Sequence, residues 1–178
     1  GKFTAARLFG VHLECADLDS ADFSIAVFSN AKLRRSSLNG TVFVGAYFIR
    51  SSLEHCHIMG TAFQCARLTE TNLAFAEAHY TRLHGAFLYN VQLDGIHAQN
   101  LYLYGARFSH QSLSELKGLT QEQVNETFGS GDAVVPDSLI RPAHWLQSRN
   151  DWEEGELDFE AEYERWLANP DTYAPAPP

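Results

Sequence analysis

The sequence predicts a solenoid, a short structural unit stacked many times, and two columns of residues predict it. Every fifth residue from Phe3 to Leu113 is apolar: 23 positions without a break, holding thirteen Leu, seven Phe, Ile58, Ala78 and Ala98. With 45% of the chain hydrophobic, chance gives such a column with a probability of about 10⁻⁸. A period of five matches neither a helix nor a strand, whose side chains repeat every ~3.6 and ~2 residues. Two residues before each central position the side chain is small in 18 of the 23 cases, as at Ala6, Ala16, Ala21, Ser36, Thr41 and Cys56. Large and small residues in alternation suit a narrow, closely packed interior. The positions between carry Asp17, Asp19, Arg34, Arg35, Glu54 and Arg67, which belong in water. Gly recurs two residues after the centre, as at Gly10, Gly45 and Gly85, where a tight corner favours it.

The stretches Ala16-Asp17-Leu18, Ala21-Asp22-Phe23, Ala31-Lys32-Leu33, Ala66-Arg67-Leu68 and Thr71-Asn72-Leu73 resemble the A(D/N)LXX unit of the pentapeptide-repeat family. The resemblance covers residues 1–115 in unbroken register. It implies an all-β solenoid, a right-handed quadrilateral β-helix in which four five-residue faces make one twenty-residue coil. The two central Ala, Ala78 and Ala98, lie twenty residues apart and stack on one face at that coil length. The 23 repeats make nearly six coils, a rod of about 28 Å at ~4.8 Å per strand spacing. One inward column reads Phe3, Phe23, Phe43, Phe63, Leu83 and Leu103, opposite an all-Leu column from Leu13 to Leu113. Leu88 and Phe108 face Ala78 and Ala98, and Ile96 and Leu101, at usually small positions, are placed to fill the space left. Replacing Phe43 or Phe63 by Ala is expected to cost about 3–5 kcal/mol through the cavity opened.

The chain of 178 residues fits one domain with an appendage. No apolar run approaches the ~18 residues of a transmembrane helix, and no secretory leader is evident. The chain begins with Gly1 and the repeat starts at once without a cap, which reads as a piece of a longer protein, since an open coil invites pairing. Cys15, Cys56 and Cys65 are odd in number and lack metal-ligand spacing. Cys56, in the small inward column, is expected as a buried thiol, and cytoplasmic residence is the simplest reading.

All of the net acidity lies after the repeats. Residues 1–115 hold nine Lys/Arg and nine Asp/Glu, whereas residues 116–178 hold four and thirteen, which gives the net −9. Three segments follow: 1–115 as the repeat rod, 116–145 as a capping helix and loop, and 146–178 as an acidic amphipathic helix with a Pro-rich tail. Thr120 with Gln123 three residues on forms a capping-box start, and Phe128-Gly129 reads as the stop of that helix. The helix and the segment from Val134 to Trp145 are expected to close the rod. The LTQEQ…RPAHW sequence also looks like the C-terminal extension of many bacterial pentapeptide-repeat proteins. Over residues 153–167, Phe159, Tyr163, Trp166 and Leu167 fall at helical spacing within an acidic run. Residues 173–178 are Pro/Ala-rich and expected to be disordered.

No pattern for chemistry stands out. GxSxG, HExxH, P-loop and paired-Cys motifs are absent, so neither a catalytic residue nor a cofactor is expected. In the coil frame His57, Glu77 and His97 stack in one outward column, a possible zinc pair with a carboxylate. The simpler reading is an exposed column that accepts any polar residue, because nothing fixes a fourth ligand.

Apolar residues at outward positions carry more information. Around the column of Leu8, Phe28, Phe48, Leu68, Leu88 and Phe108 stand Phe9, Val27, Tyr47, Ile49, Phe87 and Tyr89. Such a patch marks a contact surface. Arg67 and Arg107 alternate with Tyr47 and Phe87, so cation–π stacking accounts for part of it. The candidate contact residues are these six together with Trp152, Phe159, Tyr163 and Trp166 of the tail. Two occupants stand open: the chain's own aromatic tail, or a protein partner or second copy. The favoured function is a non-enzymatic interaction scaffold. The alternative, which the family resemblance raises, is mimicry of DNA to protect gyrase from quinolones or toxins. Interspersed Arg34, Arg35, Arg50, Arg67, Arg82 and Arg107 weigh against it, because a duplex presents one negative charge per ~1.7 Å. Direct nucleic-acid binding is disfavoured by the acidic charge and the lack of a basic stripe.

Overall fold

A computed structural model describes residues 1–147 and 159–175. The chain winds as a parallel β-solenoid. One face forms a continuous sheet from β1 (Arg7–Phe9), β2 (Val27–Ser29), β3 (Tyr47–Ile49), β4 (Arg67–Thr69), β5 (Phe87–Tyr89) and β6 (Arg107–Ser109). Every register pair on it is twenty residues apart, as in Leu8↔Phe28 and Leu68↔Leu88. The other three faces meet by single bridges at the same spacing, for example Lys2↔Asp22, His12↔Lys32 and Asp17↔Ser37. Twenty residues per coil and four faces are therefore the observed repeat.

The corners explain the five-residue period. Every fifth residue from Ala5 to His110 has a positive φ, between +48° and +68°. On three faces the corner closes with an i to i+3 bond, such as Ala6 N–H to the Phe3 carbonyl at 3.0 Å. A positive φ at the third residue of such a turn is the signature of type II geometry, which favours Gly. On the fourth face the residues run as Val-Phe-Ser, Tyr-Phe-Ile and Phe-Leu-Tyr, compositions with high strand propensity. That face extends into three-residue strands.

Inside, Phe23, Phe43 and Phe63 stack at 5.5 and 5.1 Å, while Phe28 and Phe48 stack at 4.7 Å with rings parallel to 1°. The two columns meet edge to face, Phe43 against Phe48 at 5.0 Å. The small column carries a second ladder. The hydroxyls of Thr41, Thr61 and Thr81 donate to the carbonyls of Leu18, Leu38 and Ile58 at 2.9, 2.7 and 2.8 Å. Cys56 does the same with its thiol to Leu33, and burial pushes that thiol up to about 12. Each small polar side chain thus binds one coil to the coil beneath. Ile96 and Leu101 are buried beside Ala78, and only about 20 Å³ of apolar cavity remains there.

The end of the rod differs from expectation in one respect. Helix α1 (Gln121–Asn125) starts at Thr120, whose hydroxyl accepts from the Gln123 N–H while the Gln123 side chain accepts from the Thr120 N–H. It ends at Glu126, before Phe128-Gly129. Those two residues are no helix stop but strand β7 (Phe128–Gly129), paired with Arg107 and Phe108. Val134 then pairs with Ser112, so the chain adds a further partial coil without the five-residue pattern. Gly129 does not take a left-handed φ. It is required by room, since a Cβ there would lie 2.2 Å from the ring of Trp145. Trp145 is fully buried near Phe108, and its indole N–H donates to the Thr127 carbonyl at 2.9 Å.

The tail supplies α2 (Phe159–Ala168). The start of the expected helix at 153–158, together with residues 176–178, lies outside the described residues. Among the described residues no helix is long and apolar enough to cross a membrane.

Candidate interaction surface

On the strand face, side chains alternate inward and outward with a period of two. The first outward column reads Arg7, Val27, Tyr47, Arg67, Phe87 and Arg107, followed by Phe128. The second reads Phe9, Ser29, Ile49, Thr69, Tyr89 and Ser109.

Helix α2 lies on the upper half of this face. Phe159 sits 5.8 Å from the ring of Phe87 and 5.3 Å from that of Phe128. Trp166 stacks on Phe128 and on His144, the latter at 5.2 Å and 4°. The Tyr163 hydroxyl donates to the Gly105 carbonyl at 2.9 Å, and burial pushes its ionisation upward against the opposing pull of Arg107. The Arg107 guanidinium lies between the rings of Phe87 and Tyr163, 5.3 and 4.5 Å away, and is only 11% exposed. Arg67 covers the other side of Phe87 at 5.0 Å. Glu160 joins the two arginines, bonding Arg67 at 3.3 Å and Arg107 more closely. The result is an arginine–phenylalanine–arginine sandwich clamped by one carboxylate.

This arrangement redistributes the ten expected contact residues. Phe87, Phe159, Tyr163 and Trp166 are buried against one another and Phe128 and Leu146 within the chain, because self-docking shields their apolar area from water. Tyr89 packs beside this cluster and against His110 at 5.0 Å. Below α2, Phe9 and Tyr47 remain 63% and 43% exposed, with Val27 and Ile49 half-buried between them. Trp152 lies outside the described residues. Sequence reasoning missed Glu160, Phe128 and His144. The available signal was the spacing of Arg67, Phe87 and Arg107 at single-coil intervals, a pattern suited to one acidic, aromatic helix.

The His57 column takes the register expected of it, with Glu77 paired to His57 on one side and His97 on the other. His57 Nδ1 meets Glu77 Oε2 at 2.8 Å. Among the described residues no group of three His, Cys, Asp or Glu side chains converges to hold a metal ion. Asp19 and Asp22, near the open end, are held below the usual carboxylate range chiefly by the hydroxyls of Ser37 and Ser24.

Residues 2–40 and 26–64 match the family model for pentapeptide repeats, in eight copies. The chain is a pentapeptide-repeat protein. No curated protein matches it in sequence. Among solved structures it is similar to a pentapeptide repeat protein from the Arabidopsis thaliana thylakoid lumen, at 24% identity and a TM-score of 0.41 over 60% of this chain and 68% of that one. It is also similar to one from the cyanobacterium Cyanothece 51142, at 21% identity and a TM-score of 0.42 over 57% and 90% of the two chains. Full-length QnrB1, a plasmid-mediated fluoroquinolone resistance protein, is similar at 15% identity and a TM-score of 0.39 over 79% and 77%. The family model covers the N-terminal repeats, so the α2 clamp of this pentapeptide-repeat protein lies outside the matched residues.

Proposed function

We propose that this chain is a non-enzymatic protein-interaction module whose recognition surface is the lower half of the strand face. One observation carries the reading. Below Arg67 and Thr69, which separate them from the covered Phe87, the apolar side chains of Ile49, Tyr47, Val27 and Phe9 form a stripe that α2 leaves uncovered. Exposed apolar area in a contiguous stripe is stabilised by burial at about 25 cal/mol per Å². Aromatic residues beside arginine are also the composition favoured at protein interfaces. The rigid ladder of coils presents the stripe without loop ordering, which lowers the entropic cost of association. Arg7 and Arg67 in the same column oppose imitation of a DNA duplex, because they interrupt any run of negative charge.

The test substitutes Tyr47→Ser with Ile49→Ser in the intact chain and compares proteins retained from a lysate of the source organism. Both side chains point outward, so the fold is expected to persist, checked by circular dichroism. A protein held by the original chain and lost from the variant supports the surface. Equal retention by both chains removes it.

A further inference from the structure

A recessed site lies where α1, the segment carrying His144, α2 and the last full coil meet. It is a cavity of about 260 Å³, with Tyr104, Glu126, His144, Trp166 and Asp171 among the residues that line it. We propose that this pocket binds a quaternary ammonium group.

The chemistry of the walls selects the ligand class. Neither Lys nor Arg among the described residues lines the cavity. Among the described residues, neither Glu126 nor Asp171 has a side-chain hydrogen bond or ion pair. Two carboxylates of α2 are matched by contrast: Glu160 by Arg67 and Arg107, Glu162 by Arg165 and the Tyr173 hydroxyl. His144 does not supply the missing charge. Burial holds its imidazole below its usual range, and its Nε2 lies 2.6 Å from the Thr127 carbonyl, to which it donates. Trp166 is buried in its stacks on His144 and Phe128, so the exposed ring of Tyr104 supplies the aromatic face. Such a ring beside unmatched negative charge suits an alkylated ammonium, which binds ring faces and needs no hydrogen-bond acceptor. The volume admits one such head group and is below the range usual for a larger cofactor.

The pocket is also held in shape. The Glu126 carbonyl accepts from the Gly105 N–H at 2.8 Å, which fixes the end of α1 against the coil corner beside Tyr104. Asp171 lies within a turn in which the Asn169 carbonyl accepts from the Thr172 and Tyr173 N–H groups at 3.2 and 3.0 Å. Trp166 is fixed by its stack on His144. Because α2 forms one wall, occupancy of the pocket also favours the docked tail by linkage.

The experiment titrates the full chain with choline at constant ionic strength and follows the Trp166 indole and Tyr104 amide by nuclear magnetic resonance. Saturable shifts are expected, with binding of the uncharged isostere 3,3-dimethylbutan-1-ol at least tenfold weaker. Tyr104→Ala and Glu126→Gln, both at exposed side chains, are each expected to weaken choline about threefold to thirtyfold. A trimethyllysine peptide bound tenfold tighter than choline would assign the site to a modified protein side chain, and equal affinity to a free small cation. The absence of saturable shifts, equal binding of the isostere, or affinity unchanged in both variants overturns the proposal.

Discussion

Truncating Phe159 to Ala should release α2 while leaving the coils intact. Phe159 is 1% exposed and packs on Phe87 and Phe128, so the change removes a buried ring from the centre of the docked cluster. Phe→Ala at buried sites costs about 3–5 kcal/mol, and a helix on the surface relaxes enough to place this case near 3 kcal/mol. At about 1.4 kcal/mol per decade, the ratio of docked to undocked tail then falls by roughly 10². The main coil core is a separate cluster that does not include Phe159, so the rod's own unfolding should be unaffected. Hydrogen exchange read by mass spectrometry reports both parts at once. Amides of residues 159–168 should lose protection while those of β2 to β5 keep theirs. Glu160→Gln should do the same more weakly, by about 1 kcal/mol or less, since that carboxylate is 42% exposed. Unchanged protection over α2 in the Phe159 variant would refute the reasoning. So would an equal loss along the rod.

Three further outcomes are expected. Phe43→Ala, at a fully buried ring that stacks on Phe23 and Phe63, should lower stability by about 3–5 kcal/mol in urea denaturation. Ile25→Gly should raise stability by about 0.5–1 kcal/mol in the same assay. Ile25 holds a φ of +60° with a β-branched side chain that is 59% exposed, and Gly45 already occupies the same corner one coil on. Relief of ~1–2 kcal/mol of left-handed strain there exceeds the ~0.5–1 kcal/mol entropic cost of Gly. Stability should also fall as the pH drops below 6.5, because burial depresses the folded His144 below that reference value and the unfolded chain takes up the proton first. The contribution is fully present above pH 6.5 and is lost as pH falls through the depressed value. A thermal melt series should show this fall, and His144→Gln should flatten it.

The rod was legible because its register is local. A five-residue period places Phe43, Leu53 and Cys56 inward and Tyr47 outward from spacing alone, and the corners confirm it in their φ values. The capping box at Thr120 and Gln123 was legible for the same reason. What failed was non-local. Gly129 reads as a helix stop until Trp145, sixteen residues later, is seen to occupy the space beside it. The partial coil at β7 is invisible because it is held by pairing to Arg107 and Phe108 rather than by a repeated residue. The choice between a self-docked tail and a free one turned on Glu160 meeting two arginines 53 and 93 residues away. Helical spacing identifies α2 but cannot state which surface it covers.

The measurement closest to the central claim is hydroxyl-radical footprinting of the intact chain, alone and with a partner captured on it. Phe9 and Tyr47, exposed and reactive, should lose labelling in the complex, while Tyr102, exposed on another face, keeps its own. Protection of Tyr102 with Phe9 and Tyr47 unchanged would contradict the assignment of the strand face as the recognition surface.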